Sequence, residues 1–166
     1  MIVMIEYLEY LEWSSDATEP IKYNYEYLSD AKIFYGIHPI KIQYGDNPPI
    51  EVTAKFDTGA KSSSISYEVA QKIGVDADLL NCSLLIEDEK IDKSITKDEL
   101  NKKIGDLSEK YNGLELDSVR SASGVSIRVY LPITIYHSGR TIKTSANLKD
   151  RTGLKAEALV GLKDML

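Results

Sequence analysis

The chain has 166 residues, enough for one domain with a real core and too few for two of ordinary size. Its 43% hydrophobic and 28% charged residues give the balance of a globular protein, not a disordered one. With 20 basic against 26 acidic side chains, a net charge of −6 and no run of Lys and Arg, no nucleic-acid partner is expected.

The chain opens on Met1-Ile2-Val3-Met4-Ile5, which has no basic flank and meets Glu6 at once. It therefore reads as neither a signal peptide nor a membrane span, and no membrane partner is expected. Residues 1–36 hold six of the eleven tyrosines, with Trp13 and Phe34. Tyr7, Leu8, Tyr10, Leu11 and Trp13 suit one side of a short helix, while the opening apolar run suits a strand equally well. Tyr23, Tyr25 and Tyr27 alternate with Asn24 and Glu26, which would put three rings on one face of an extended segment. This segment reads either as an extension packed on its own domain or as an arm that docks on another subunit or assembly protein, since tyrosines are enriched at interfaces.

From His38 the period becomes that of strands, and residues 37–166 read as one domain. Ile40, Ile42 and Tyr44 alternate with Lys41 and Gln43, and Gly45-Asp46-Asn47-Pro48-Pro49 makes a turn. A second strand follows, with Val52, Ala54 and Phe56 on one face, and it delivers Asp57 to the turn Asp57-Thr58-Gly59-Ala60. A carboxylate at the end of a buried strand, with a hydroxyl beside it and little bulk above, suits acid/base chemistry on water.

Ser66 can cap a short helix carrying Val69, Ala70 and Ile73, closed by Gly74. Residues 83–117 are the most charged part of the domain and read as an insert. Within them Thr96-Lys97-Asp98-Glu99 forms a capping box, after which Leu100, Ile104, Leu107 and Tyr111 recur at helical spacing and Gly113 ends the run. That stripe is expected to pack on the domain and not to serve a partner. Then Ile127, Val129 and Leu131 alternate ahead of Pro132, Ile133 and Ile135. His137-Ser138-Gly139-Arg140 turns the chain, and Thr141 to Leu148 returns it. The chain closes on DRTGLKAEALVGLKDML.

Cys82 is the single cysteine, so an intrachain disulfide is impossible and a cytoplasmic protein is expected. Zinc needs three or four suitably spaced ligands; His38, His137 and Cys82 are scattered, and no HExxH occurs. No GxxxxGK[ST] loop could hold nucleotide phosphates. Ser62-Ser63-Ser64 belongs to no GxSxG elbow, and Asp46, Asp76 and Asp78 lack the spacing of a calcium loop. No cofactor and no metal are expected.

The segment around Asp57-Thr58-Gly59-Ala60 resembles the active-site strand of retropepsin-like aspartic proteases, and Leu159-Val160-Gly161 resembles the strand that crosses beneath the catalytic loop in that family. A longer resemblance covers roughly residues 38–166 without the insert. Ala54 to Lys61, Leu148-Lys149-Asp150-Arg151-Thr152 and Leu159-Val160-Gly161 are similar to three blocks of a bacterial and phage family labelled ATP-dependent zinc protease.

The resemblance implies a mainly β fold, a retropepsin-like closed barrel with an inserted helix and an N-terminal extension. It implies Asp57 as the catalytic carboxylate, with Thr58, Gly59, Ala60 and Gly161 supporting the loop. One such loop per chain implies a homodimer with a polypeptide substrate, its two aspartates about 3 Å apart and sharing one proton. The Ser121-Ala122-Ser123-Gly124 turn would be the flap, unless the insert covers the site. Leu162 stands where the family has an arginine that braces the loop, and Arg151 could replace that cation or be plain surface charge. The missing arginine and the tyrosine-rich arm keep a second reading open: a silent domain of this fold docking in a large assembly, within a virion if the protein belongs to a phage.

Overall fold

Alternation of apolar and polar side chains sets the two opening strands. In the computed structural model, which describes residues 36–121 and 124–165, β1 (Gly36–Gln43) buries Ile40 and Ile42, and β2 (Ile50–Asp57) buries Val52, Ala54 and Phe56. They pair antiparallel from Gly36 opposite Phe56 to Ile42 opposite Ile50. The turn between them is closed by Asn47, whose backbone N–H donates to the Tyr44 carbonyl at 3.3 Å.

β3 is two residues long (Ser64–Ile65), and α1 (Tyr67–Lys72) follows. The Ser66 hydroxyl accepts from the Val69 N–H at 3.0 Å, the expected cap. α2 (Ala77–Glu87) and α3 (Lys97–Lys110) come next. α3 begins at the expected capping box, both of whose hydrogen bonds form. Its stripe is packing: Leu100 and Leu107 are buried in the main core, and Ile104 and Tyr111 lean on it.

The sequence reading of one helix in an insert at 83–117 needs correction. There are two helices, and the first starts at Ala77. Its periodicity is illegible because the polar and apolar roles are exchanged: Ser83 is buried, while Leu84 and Leu85 are exposed. Ser83 can be buried because its hydroxyl lies 2.9 Å from the Tyr67 hydroxyl, which also donates to Glu87 Oε2 at 2.6 Å. Burial, then the bond to the Glu87 carboxylate, pushes the Tyr67 phenol up.

β4 (Leu116–Ser121), β5 (Gly124–His137), β6 (Arg140–Leu148), β7 (Ala158–Gly161) and α4 (Leu162–Met165) complete the chain. β5 runs through Pro132 without a break. Pro132 is exposed and lies between the stretch that pairs with β4 and the stretch that pairs with β1, so a missing N–H is tolerated there.

Hydrogen bonding joins β1, β2, β7, β3, β6 and β5 in that order, and β5 pairs back to β1, which closes a six-stranded ring. β4 hangs on β5 outside the ring. Closure removes the exposed edges a sheet would otherwise present. The ring is filled by side chains such as Ile42, Ile135, Leu148 and Val160, each at most 2% exposed. Each contributes roughly 1.5–3 kcal/mol relative to exposure. The fold is mainly β and closed, as the sequence predicts.

Candidate functional site

β7 decides where Asp57 sits. It lies parallel to β2 with Gly161 opposite Asp57, and antiparallel to β3 with Leu159 opposite Ser64. The tail is thus wedged between the two ends of the Asp57 loop. A Cβ on Gly161 would stand 2.5 Å from the Ser62 carbonyl carbon and 2.6 Å from its oxygen, so only glycine permits this crossing. Beyond it, the Leu162 N–H donates to the Ala60 carbonyl at 2.8 Å and the Lys163 N–H to the Lys61 carbonyl at 3.1 Å.

Side chains reinforce the joint. The Ser63 hydroxyl accepts from the Gly161 N–H at 3.0 Å and donates to the buried Asp164 carboxylate. Asn147, 2% exposed, donates from Nδ2 to the Ser63 carbonyl at 3.0 Å and accepts from Arg128 Nη1 at 3.0 Å through Oδ1. The Ser62 hydroxyl lies 3.3 Å from that of Tyr130. The residues Ser62, Ser63, Asn147, Asp164, Arg128 and Tyr130 were not singled out from sequence as site residues; scattered polar side chains on strands and in the last turn carry no local signal. Ser63 and Asp164 fasten the inner side of the loop to the closing strand.

The loop itself is tight. Asp57 Oδ1 accepts from the Gly59 N–H at 2.9 Å, and the Ala60 N–H returns to the Asp57 carbonyl at 3.2 Å. A Cβ on Gly59 would press on Asp57 Oδ1 at 3.1 Å. Asp57 Oδ2 lies 3.4 Å from Lys55 Nζ, but that pair is open to water and worth little. Thr58 and Gly59 are exposed, and the Asp57 side chain is 32% exposed.

The loop borders a cleft of about 800 Å³. Asp57, Gly59, Ala60 and Ser62 line it on one side of the sequence, and β4 residues 117–121 on another. Neither α2 nor α3 contributes a lining residue; of the expected insert, residues 83–117, Asp117 lines the cleft, from β4. Of the expected flap, Ser121 pairs with Gly124 at the end of the β4–β5 hairpin, while Ala122 and Ser123 lie outside the described residues. Arg151 is not surface charge: it is 8% exposed, and it donates from Nε to the Ala156 carbonyl at 3.0 Å and from Nη1 to the Ser64 hydroxyl at 3.1 Å. It braces the loop after β6 against β3.

His38 and His137, remote in sequence, come together around Phe56, with ring centroids 6.0 Å apart. Among the described residues no three His, Cys, Asp or Glu side chains converge as metal ligands would. Among them, too, no helix is long and apolar enough to cross a membrane. The expected N-terminal arm, residues 1–36, lies outside the described residues apart from Gly36.

No protein-family model matches the chain, and no curated protein matches it. Among solved structures, the chain is similar to a Legionella pneumophila protein of unknown function (DUF785) at 18% identity, over 79% of this chain and 84% of that one, with a TM-score of 0.37. It is similar to the simian foamy virus protease at 9% identity, over 76% and 90% of the two chains, with a TM-score of 0.37. A third likeness is to the retroviral protease-like domain of Ddi1 from Leishmania major, at 14% identity over 81% and 73%, with a TM-score of 0.34.

Proposed function

We propose that the chain is a retropepsin-like aspartic endopeptidase that works as a homodimer. One observation carries the reading: the Asp57 loop is fastened on its inner side by Gly161, Ser63 and Asp164, while Asp57, Thr58 and Gly59 are open on the other, beside a cleft. A single carboxylate cannot act as base and acid in one step, so the open face would receive a second copy of the same loop. Of the two aspartates, the charged one takes a proton from water as the water oxygen bonds to the peptide carbonyl carbon. The neutral one protonates the carbonyl oxygen, and the C–N bond breaks as the nitrogen gains a proton. The pair titrates as a unit. Neither a metal nor a nucleotide enters this scheme.

Asp57→Asn tests it. Cleavage of an unfolded protein substrate should vanish while the thermal transition stays in place, and wild-type activity should rise faster than linearly with protein concentration as dimers form. Cleavage that survives the substitution overturns the proposal.

The exposed Leu84 and Leu85 on α2, 44% and 59% accessible, favour a second reading, a docking component of a large assembly such as a phage virion. A folded, monomeric and inactive protein that binds its assembly through α2 would establish that reading instead.

A further inference from the structure

The cleft beside Asp57 is positive in a chain whose net charge is −6. Lys61, Arg120, Arg128, Lys149, Arg151 and Lys163 line it, against Asp57 and Asp117. None of the six forms an ion pair among the described residues. Arg128, Lys149 and Arg151 crowd one another. Burial, and then the neighbouring cations, hold Lys149 and Arg151 below their ordinary range, and burial does the same to Arg128.

The carboxylates that could relieve this crowding are engaged elsewhere. Glu87 attracts Arg128 and Lys149, but its Oε2 accepts from the Tyr67 hydroxyl at 2.6 Å and its Oε1 from the Asp150 N–H at 3.3 Å. Asp117, opposite Arg128 in the β4–β5 pairing, gives its Oδ1 to the Ser118 N–H at 2.7 Å. Arg128 Nη1 goes to the neutral Asn147, and its Nε is buried with no hydrogen-bond partner. Cations partly withdrawn from water and left without a counter-charge favour an anion from outside.

The shape says what carries that anion. Successive residues of a strand point to opposite faces, yet residues 117–121 of β4 all line the cleft, so it runs along the strand's edge. β4 ends the strand order, and among the described residues no strand lies on its outer side. Such an edge suits an extended polypeptide.

We propose that the cleft binds an extended polypeptide through a carboxylate that the polypeptide carries, held at Arg128 and Lys149 in the field of the other cleft cations. The carboxylate is either an acidic side chain or the free C-terminus. The claim deepens the peptidase reading, on which the role of this ligand as substrate rests; the binding itself does not need Asp57 to be catalytic.

Fluorescence anisotropy of labelled short peptides tests it, with Asp57→Asn as the background so that no peptide is consumed. The peptides are one blocked at both ends and carrying glutamates, the same peptide with glutamines instead, and the glutamine peptide with a free C-terminal carboxylate. At least one of the carboxylate peptides should bind more tightly than the blocked glutamine peptide, and which one does so identifies the source of the carboxylate. Lys149→Gln should weaken that binding by about tenfold, the loss of a charge-assisted contact. Arg120→Gln, on the exposed part of β4, should weaken it by a smaller factor and keeps the test valid if Lys149→Gln fails to fold. Lys143→Gln, which removes an exposed charge outside the cleft, should leave it unchanged. Raising the salt from about 0.1 M to about 1 M shortens the screening length from ~10 Å to ~3 Å and should also weaken it. Equal binding of all the peptides, no binding of any, a Lys143→Gln loss as large as that of the cleft variants, or binding of inorganic phosphate alone overturns the proposal. Because no readout is cleavage, a peptidase that fails this test and a binder that never cleaves are told apart.

Discussion

Gly161→Ala is the sharpest test of how the loop is held. The added methyl would meet the Ser62 backbone at 2.5, 2.6 and 2.9 Å, against an ordinary contact distance of 3.4 Å or more, so the two segments must part by about 0.9 Å. Backbone cannot rotate away as a side-chain end can. Separation also stretches the bonds from the Gly161 N–H to Ser63 and from the Leu162 N–H to Ala60. Overpacking of this kind costs about 1–3 kcal/mol, which lowers the Tm of a chain this size by roughly 3–10 °C. If Asp57 is catalytic, a shift of about 1 Å should reduce kcat/KM by about a hundredfold. Gly105→Ala is the control. Gly105 lies inside α3, is exposed, and has nothing within 4 Å of its would-be Cβ, so the same substitution there should stabilise by about 0.5–1 kcal/mol. Circular dichroism melts of both variants, with cleavage assays, give the comparison. Equal shifts, or a Gly161→Ala protein that melts with wild type, would refute the claim that this crossing sets the loop.

Tyr67 keeps its proton in the folded state at a pH where the unfolded chain, with a phenol pKa near 10, has released it. The folded state then binds more protons, so this contribution is full below about pH 10 and is lost as pH rises; Tyr67→Phe should remove an alkaline slope of at most about 1.4 kcal/mol per pH unit. Urea midpoints measured from pH 8 to 11 check it, and an unchanged slope counts against it. Asn147→Leu leaves Arg128 Nη1 without its partner, while the Ser63 carbonyl keeps the backbone N–H of residue 147, a loss of about 1–3 kcal/mol in chemical denaturation. Removing residues 158–166 strips β2 and β3 of their shared neighbour, so the truncated protein should lose its cooperative thermal transition; a melt close to that of the full chain would contradict the ring closure.

The strands were legible because each buries one face, and burial imposes a period of two that a single sequence displays. Ile40 and Ile42, Val52 to Phe56, and Ile127 to Ile135 all carry it. α3 was legible because its capping box and its stripe agree. α2 was not, since a buried Ser83 and exposed Leu84 and Leu85 invert the pattern that would have marked it. For the site, Asp57 and Gly161 were legible as short motifs. What holds them was not: the pairing of Ser63 with Asp164 joins positions a hundred residues apart in sequence. The six cleft cations are likewise dispersed, and only the ring brings them together, so a sequence without a basic run still produces a basic cleft.

That dispersal bears on what the tail contributes. The last eight described residues supply a ring strand, the glycine under the loop, the carboxylate that takes the Ser63 proton donor, and one cleft cation, Lys163. None of these would be suspected of chemistry alone. Together they fix the inner side of the Asp57 loop so firmly that its outer side can be left bare. A loop that had to hold its own shape would need partners on both faces, and Thr58 and Gly59 would then be covered. Their exposure follows from the one-sided brace, and it is the condition that any second carboxylate, from whatever chain, would require to reach Asp57.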